Sequence, residues 1–122
     1  MKPEEFVLQV GNITRELRQA YPKANLIRSS QTEIIAEIEP GKAIVVLGRS
    51  VPHFHLKTTE TYRLLKGHAM MIMGGVAEPV SGISRSVPPR CIHSCLSVTD
   101  EPAWIEVISD PPWDAEDHFE IQ

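Results

Sequence analysis

The chain has 122 residues, of which 42% are hydrophobic and 23% charged, and its formal net charge is −4 at pH 7. This length suits one domain with a core of its own, and the composition is that of a folded globular protein rather than a disordered one. The 12 basic residues are scattered and outnumbered by 16 acidic ones, which argues against nucleic acid as a partner.

Neither the composition nor the first residues indicate a membrane protein. No run approaches the roughly 20 apolar residues that cross a bilayer. The first five residues are acidic on balance and lack the basic and apolar segments of a signal peptide. We therefore expect a cytoplasmic protein with no membrane partner. Cys91 and Cys95 would lie about 13 Å apart on one strand, which is too far for a disulfide, so we expect reduced thiols.

The first predicted element is an amphipathic helix over residues 4–20. Its apolar residues recur at helical spacing, and they are Phe6, Val10, Ile13 and Leu17. Pro22 ends the pattern because proline interrupts a helix. We predict a helical segment over residues 1–23.

Short β-type segments bounded by turn residues follow the helix. Strands are predicted at 32–38, 43–47, 58–65, 69–73, 93–98 and 103–108. Many short strands at regular spacing are typical of an all-β sandwich or barrel, which we assign to residues 24–122. The segment 74–89 contains three glycines and three prolines and is predicted to be a long loop. The acidic run 114–120 is predicted to be a solvated surface.

Three of the five histidines and one glutamate form the candidate site. His53 and His55 are separated by one residue, so on a strand both imidazoles point to the same face. Glu60 follows across a turn and can return to that face from the next strand, while His93 arrives from a distant strand. Three imidazoles and a carboxylate suit a borderline divalent ion. Five or six coordination would leave exchangeable positions for a substrate.

These residues resemble the two sequence motifs of the cupin superfamily. The first motif, G-x5-H-x-H-x3,4-E-x6-G, is matched with one residue missing after its first glycine by Gly48, His53, His55, Glu60 and Gly67. The second motif, G-x5-P-x-G-x2-H-x3-N, is matched by Gly82, Pro88 and His93. Arg90 replaces its second glycine and Ser97 its asparagine. The similarity is to small, single-domain, sugar-isomerase-like microbial cupins.

The resemblance implies a fold and a cofactor. The fold would be a double-stranded β-helix, a jelly-roll-like conical barrel of two antiparallel sheets, here with an N-terminal α-helix. The cofactor would be one divalent metal ion (Fe, Mn, Ni or Zn) held by His53, His55, Glu60 and His93. The resemblance also implies a homodimer and a small molecule as the substrate or ligand.

The predicted function is that of a metalloenzyme acting on a small oxygen-rich substrate, a sugar or a keto or hydroxy acid, by Lewis-acid activation. Glu60 and Tyr62 are the candidate catalytic residues, with Tyr62 as a general acid or orienting group. Two alternatives stay open: a non-catalytic binding or sensing module, and an Fe(II)-dependent dioxygenase.

Three residues are predicted to contact the substrate: Arg49, Tyr62 and Cys95. Arg49 shares strand parity with His53, and an inward Arg49 would bind a carboxylate or phosphate through its fork of donors. The alternative is a solvated edge position. Cys95 shares parity with His93, and its alternative role is to fill space. The alternative for Tyr62 is a barrel-filling aromatic.

Two residues near the C-terminus lie outside both motifs but are candidates for the mouth of the barrel. Trp113 follows two prolines and is a candidate for part of a lip. His118 either lies over the pocket mouth or caps a terminal strand.

Overall fold

The computed structural model describes residues 1–121, in which two α-helices, α1 (Pro3–Val7) and α2 (Val10–Ala20), precede eleven β-strands. The strands are β1 (Asn25–Ser29), β2 (Glu33–Glu39), β3 (Lys42–Leu47), β4 (His53–Phe54), β5 (Thr59–Lys66), β6 (Ala69–Met73), β7 (Val76–Val80), β8 (Arg85–Val87), β9 (His93–Ser97), β10 (Ala103–Asp110) and β11 (Phe119–Glu120). A short 3₁₀ turn, Ala115–Asp117, precedes β11.

The strands form two antiparallel sheets that face each other as a jelly-roll barrel. One sheet has the order β1-β2-β3-β10-β5-β8 and the other has the order β11-β4-β9-β6-β7. The predicted all-β double-stranded β-helix with an N-terminal helix is therefore confirmed. The boundary placed between residues 23 and 24 stays a prediction, and residue 122, the last of the predicted barrel, lies outside the described residues.

The helices cover the outer face of the six-stranded sheet. Even-numbered residues of β2, β3 and β10 point toward the helices and pack against Phe6, Ile13 and Leu17. These strand residues are Ile34, Ala36, Ile44, Val46 and Trp104. The helix predicted over residues 4–20 is present but divided into two, because the chain tightens between α1 and α2. There the N–H of Gln9 donates to the carbonyl of Phe6, three residues back, which interrupts the α-helical pattern.

Odd-numbered residues of the same strands point into the barrel. Along β10, Ala103 and Ile105 lie in the barrel core together with Met71 and Val87, whereas Ser109 near the end of the strand lines an internal cavity. One end of the barrel is thus filled by apolar side chains, and the other end is open.

The long loop predicted over residues 74–89 is also wrong, because this segment contains β7 and β8. Pro79 made β7 read as a loop in the sequence. However, β7 is the edge strand of its sheet, where a proline is tolerated. The sequence analysis also did not identify β1 and β11. Both are edge strands, and β11 has only two residues.

The backbone has a positive φ at two positions where the motifs have glycine, Gly67 and Arg90. Gly67 has φ +91°, and a Cβ there would lie 2.9 Å from the carbonyl oxygen of Pro102. Arg90, which stands where the second motif has glycine, keeps the left-handed conformation at φ 67°. Its N–H donates to the carbonyl of His55, so this turn connects the two motifs. Within residues 1–121, neither helix has the length and apolar character needed to span a bilayer.

Candidate metal centre

The four residues predicted as metal ligands converge at the open end of the barrel. His53 on β4 lies directly opposite His93 on β9, and Glu60 projects from β5 in the other sheet. His55 follows β4 at the start of a turn. All four side chains are buried, and their potential ligand atoms lie within 4.8 Å of one another.

The distances within this group suit a shared ion. Oε1 of Glu60 lies 3.0 Å from Nε2 of His55 and 2.9 Å from Nε2 of His93. It lies 3.9 Å from Nε2 of His53. Two ligand atoms each about 2.1 Å from one ion are roughly 3.0 Å apart at a right angle and about 4.2 Å apart in trans. The three separations from Oε1 of Glu60 lie close to or between these two values.

The outward nitrogens of the three imidazoles are all fixed by main-chain carbonyls. The Nδ1 contacts are Val51 for His53 at 2.7 Å, Asp117 for His55 at 2.7 Å and Cys91 for His93 at 2.9 Å. A carbonyl only accepts, so each Nδ1 carries a hydrogen and, in the neutral ring, each Nε2 presents a lone pair. With neutral rings, three lone pairs and a carboxylate oxygen face one another, whereas a hydrogen on Nε2 of His55 or His93 would form a hydrogen bond to Oε1 of Glu60. Such a set of groups needs positive charge at its centre, which protons or a metal ion can supply.

The pKa values of the group agree with this electrostatic pattern. Burial alone would raise the pKa of Glu60, but hydrogen bonds with His55 and His93 outweigh burial and hold that pKa well below its usual value. Burial would lower the pKa of His55, yet the hydrogen bond to Glu60 raises it. Burial, aided by the nearby His93, lowers the pKa of His53 to about 4. At neutral pH Glu60 is therefore ionised and His53 is neutral, which are the states in which both residues could hold a cation.

Tyr62 supports the same carboxylate. Its hydroxyl donates to Oε1 of Glu60 at 3.2 Å, and its side chain lines the cavity. Burial and the neighbouring Glu60 charge raise the pKa of Tyr62 well above its usual value. The hydroxyl is therefore a hydrogen-bond donor at neutral pH, and it is placed to orient Glu60.

Asp117 clamps the turn that carries His55 to Glu60. Its carboxylate accepts three main-chain hydrogen bonds, from Leu56 at 2.8 Å, Lys57 at 3.1 Å and Thr58 at 3.2 Å. Its own carbonyl accepts from Nδ1 of His55. Asp117 is only 8% exposed, so the expectation of a solvated acidic surface is wrong at this residue. Sequence spacing gave no signal for this contact, because it joins distant parts of the chain.

His118 lies over the mouth of the site, the first of its two predicted alternatives. Its ring stacks on that of His53 with centroids 4.8 Å apart. Nε1 of Trp113 donates to Nδ1 of His118 at 3.4 Å, which leaves the hydrogen of the neutral ring on Nε2, 3.3 Å from a carboxylate oxygen of Glu120. Trp113 lines the cavity, as expected for a lip. These residues form one wall of the entrance.

The cavity above the four residues has a volume of about 240 Å³. Its apolar walls come from inward positions of β2, β3 and β10: Ile35, Val45, Leu47 and Val107. Arg28 and Glu33 also line it, joined by a salt bridge of 3.2 Å. The sequence analysis did not identify these two. Glu33 could have been found from the alternation of β2, which places it on the face opposite buried Ile34 and Ala36.

Two of the three predicted substrate contacts do not line the cavity. Arg49 is exposed and its backbone bridges to Leu96. Parity counted back from His53 fails because the chain leaves the regular strand between β3 and β4, near Pro52. Cys95 is 2% exposed within the barrel core, and burial raises its pKa to about 12. The cysteine therefore fills space, which was its alternative role. Tyr62 is the one of the three that reaches the cavity.

Comparison with solved structures places the fold among cupin-like barrels. The chain is similar to the capsular polysaccharide assembling protein CapF from Staphylococcus aureus, with a TM-score of 0.70 and 11% identity. The match covers 81% of this chain but only 32% of CapF. It is also similar to Streptomyces Pac13, described as a nucleoside dehydratase, with a TM-score of 0.66, 13% identity and coverage of 84% and 88% of the two chains.

A third similar structure is vicilin from tomato, with a TM-score of 0.66 and 12% identity over 77% of this chain and 31% of vicilin. At such identities the likeness shows the fold alone. No protein-family model matches the sequence, and a search of curated proteins finds no match either.

Proposed function

We propose that this protein is a divalent-metal-dependent enzyme that acts on a small oxygen-rich molecule. His53, His55, Glu60 and His93 would hold the ion. One observation carries the proposal: three Nε2 lone pairs and a carboxylate oxygen are aimed at a common point, and each imidazole is locked from behind by a carbonyl. Structural histidines rarely need three matched tautomers, whereas metal ligands do.

A bound divalent ion would act as a Lewis acid toward a carbonyl or hydroxyl oxygen of the substrate. The chain contributes the rest. The apolar walls of the cavity exclude water from the reacting group, which strengthens electrostatic contacts there. Tyr62 donates a hydrogen bond to Glu60 and so holds the carboxylate in its ligating position. His118 and Trp113 limit access at the rim.

A non-catalytic small-molecule-binding protein is the second candidate. This candidate is favoured because the two side chains best placed to transfer a proton already have hydrogen-bond partners. Tyr62 is hydrogen-bonded to Glu60, and His118 is hydrogen-bonded to Glu120. The fold does not decide between the two, because one fold hosts many functions. The mixed N/O ligand set accepts Fe, Mn, Ni and Zn alike, so the chemistry has to be tested with each ion.

The experiment begins with metal content measured on protein purified without chelator. We expect near-stoichiometric metal in the wild type and loss of it in His53→Ala and His93→Ala. His68→Ala is the matched control, because His68 lies outside the site. Unchanged metal content in both site variants would reject the assignment.

The same protein, loaded in turn with Fe(II), Mn, Ni and Zn, is then incubated with candidate substrates. Turnover with any of the four ions supports the enzyme. Oxygen consumption confined to the Fe(II) form would identify a dioxygenase. Saturable binding without turnover for all four ions would support the binding protein instead.

A further inference from the structure

We propose that the cavity selects a neutral, polyhydroxylated molecule of about one sugar ring and discriminates against organic acids, through the Arg28–Glu33 pair. This inference rests on the proposed function, because the ligand would lie between that pair and the metal-binding residues. It chooses between the two substrate classes that the sequence left open.

The cavity has a second polar group besides the metal ligands. Nε of Arg28 on β1 lies 3.2 Å from Oε1 of Glu33 on β2, and both side chains line the cavity. The Glu33 side chain is 13% exposed and that of Arg28 is 40% exposed. The proposed mechanism uses neither residue. A largely buried carboxylate paired with an accessible guanidinium thus faces the same space as Glu60.

The charges around the Arg28–Glu33 pair disfavour an anion at that position, although a divalent ion at Glu60 would attract one to the metal-binding residues. Apart from Glu60, the lining holds two cations, Arg28 and Lys42, and two carboxylates, Glu33 and Glu37. Each cation already has carboxylate neighbours. Arg28 has Glu33 at 3.2 Å and Glu120 at 3.8 Å, and Lys42 has Glu106 at 3.9 Å. An organic acid would have to compete with Glu33 for Arg28, and like charges in a low-dielectric cavity repel strongly.

Hydroxyl groups fit the same pair well. A hydroxyl both donates and accepts, whereas a carboxylate only accepts. Two neighbouring hydroxyls can donate to Glu33 and accept from Arg28 without disturbing the salt bridge. The apolar wall of Ile35 and Val45 suits the C–H face of a ring. The volume of about 240 Å³ is below the roughly 300–1,000 Å³ of sites for drug-sized ligands, so one ring fills it.

The test compares ligands that differ in one group. Methyl glycosides of common hexoses and the corresponding methyl uronosides are titrated into metal-loaded protein by calorimetry or ligand-observed NMR. Each pair differs only by CH₂OH against a carboxylate. We expect the best neutral glycoside to bind at least about tenfold tighter than its uronoside, which corresponds to about 1.4 kcal/mol. Glu33→Gln should reduce that preference to about threefold or less, because it removes the repelling charge.

Glu16→Gln is the control, since it makes the same change on α2, at a residue whose side chain is 55% exposed. It should keep the wild-type preference. A uronoside that binds as tightly as its glycoside would overturn the proposal, and so would the absence of binding by any neutral glycoside at tens of millimolar. Metal content is measured on the same samples. Stoichiometric metal with the wrong ligand preference rejects this inference alone, whereas missing metal rejects the proposed function.

Discussion

The main-chain carbonyl of Asp117 lies 2.7 Å from Nδ1 of His55, although 62 residues separate the two along the chain. The same residue's carboxylate accepts three N–H groups of the turn that follows His55. One residue thus sets the tautomer of a candidate metal ligand and fixes the turn that leads to the next candidate, Glu60.

Asp117→Asn should weaken metal binding. The amide keeps one acceptor oxygen and turns an NH₂ group toward main-chain donors, so the turn after His55 loosens. Loss of such outer contacts typically costs about 10–100-fold in metal affinity. We expect a rise of that size in the dissociation constant, measured by competition with a chelator. The visible spectrum of the Co(II)-loaded variant should also shift.

Two controls separate positioning from general instability. Asp114→Asn makes the same change at an exposed residue and keeps an acceptor for the N–H of Glu116, so it should leave metal affinity unchanged. Ile13→Val lowers stability in the helix-facing cluster without approaching the site. An Asp117→Asn protein with wild-type affinity and an unaltered Co(II) spectrum would show that Asp117 does not position His55.

Arg90→Gly should stabilise the protein. Arg90 holds φ 67°, a left-handed conformation that costs a side-chain-bearing residue about 1–2 kcal/mol. Glycine removes this cost but loses about 0.5–1 kcal/mol through the greater freedom of the unfolded chain. The expected net gain is about 0.5–1 kcal/mol, seen as a higher midpoint in urea unfolding with an unchanged slope. A lower midpoint would mean that the Arg90 side chain contributes contacts of its own.

Gly67→Ala should destabilise the protein. The new Cβ would meet the carbonyl oxygen of Pro102 at 2.9 Å, and φ is +91°. The atoms that the Cβ would meet are main chain of Pro102 and Ala103, which cannot rotate away, so we expect a loss of about 1–3 kcal/mol in the free energy of unfolding. Gly11→Ala is the contrasting case, because a Cβ there meets no atom within 4 Å and alanine favours a helix. Equal effects of the two substitutions would contradict the steric explanation.

The stability contribution of Glu33 should depend on pH. Burial outweighs the attraction of Arg28 and raises the pKa of Glu33 from 4.5. The folded state therefore binds this proton more tightly than the unfolded state does. The contribution of Glu33 to stability falls as pH rises from 4.5 through the folded-state pKa, and above that the ionised carboxylate is a constant cost.

Glu33→Gln removes that cost, so its thermal midpoint should exceed that of the wild type at neutral pH. The advantage should shrink toward about pH 4, where Glu33 is protonated in both states. Thermal midpoints of both proteins across this range provide the measurement, and the other titrating groups cancel in the difference. A difference that stays constant with pH, or grows toward acid, would show that the pKa of Glu33 is not raised by folding.

Local sequence patterns predicted an all-β sandwich or barrel, and the resemblance to the cupin motifs added the double-stranded β-helix and supported the four converging residues. The alternation of a strand places His53 and His55 on one face, and motif spacing brings in Glu60 and His93. Contacts made by edge strands could not be predicted from local sequence patterns. Arg28 reaches the cavity only because β1 pairs with β2, and His118 reaches it because β11 pairs with β4. The cytoplasmic location and the homodimer stay predictions.

Arg49 shows why parity has limits. Counting by twos from His53 requires an unbroken strand, and Pro52 lies between the two positions. Counting by twos from Glu60 does place Tyr62 on the same face, because β5 runs without interruption from Thr59 to Lys66. Parity is therefore informative only within one strand, and β3 ends at Leu47, before Arg49 and Pro52.

The clamp formed by Asp117 joins parts of the chain that lie far apart in sequence. Removing the segment that carries Asp117 would leave the three imidazoles and the carboxylate in the chain, yet it would free His55 and the turn after it from their partner. A protein cut before Asp117 should therefore hold an ion loosely and with poor selectivity, so a protease that cleaves there would release the ion from a barrel that still contains every ligand residue.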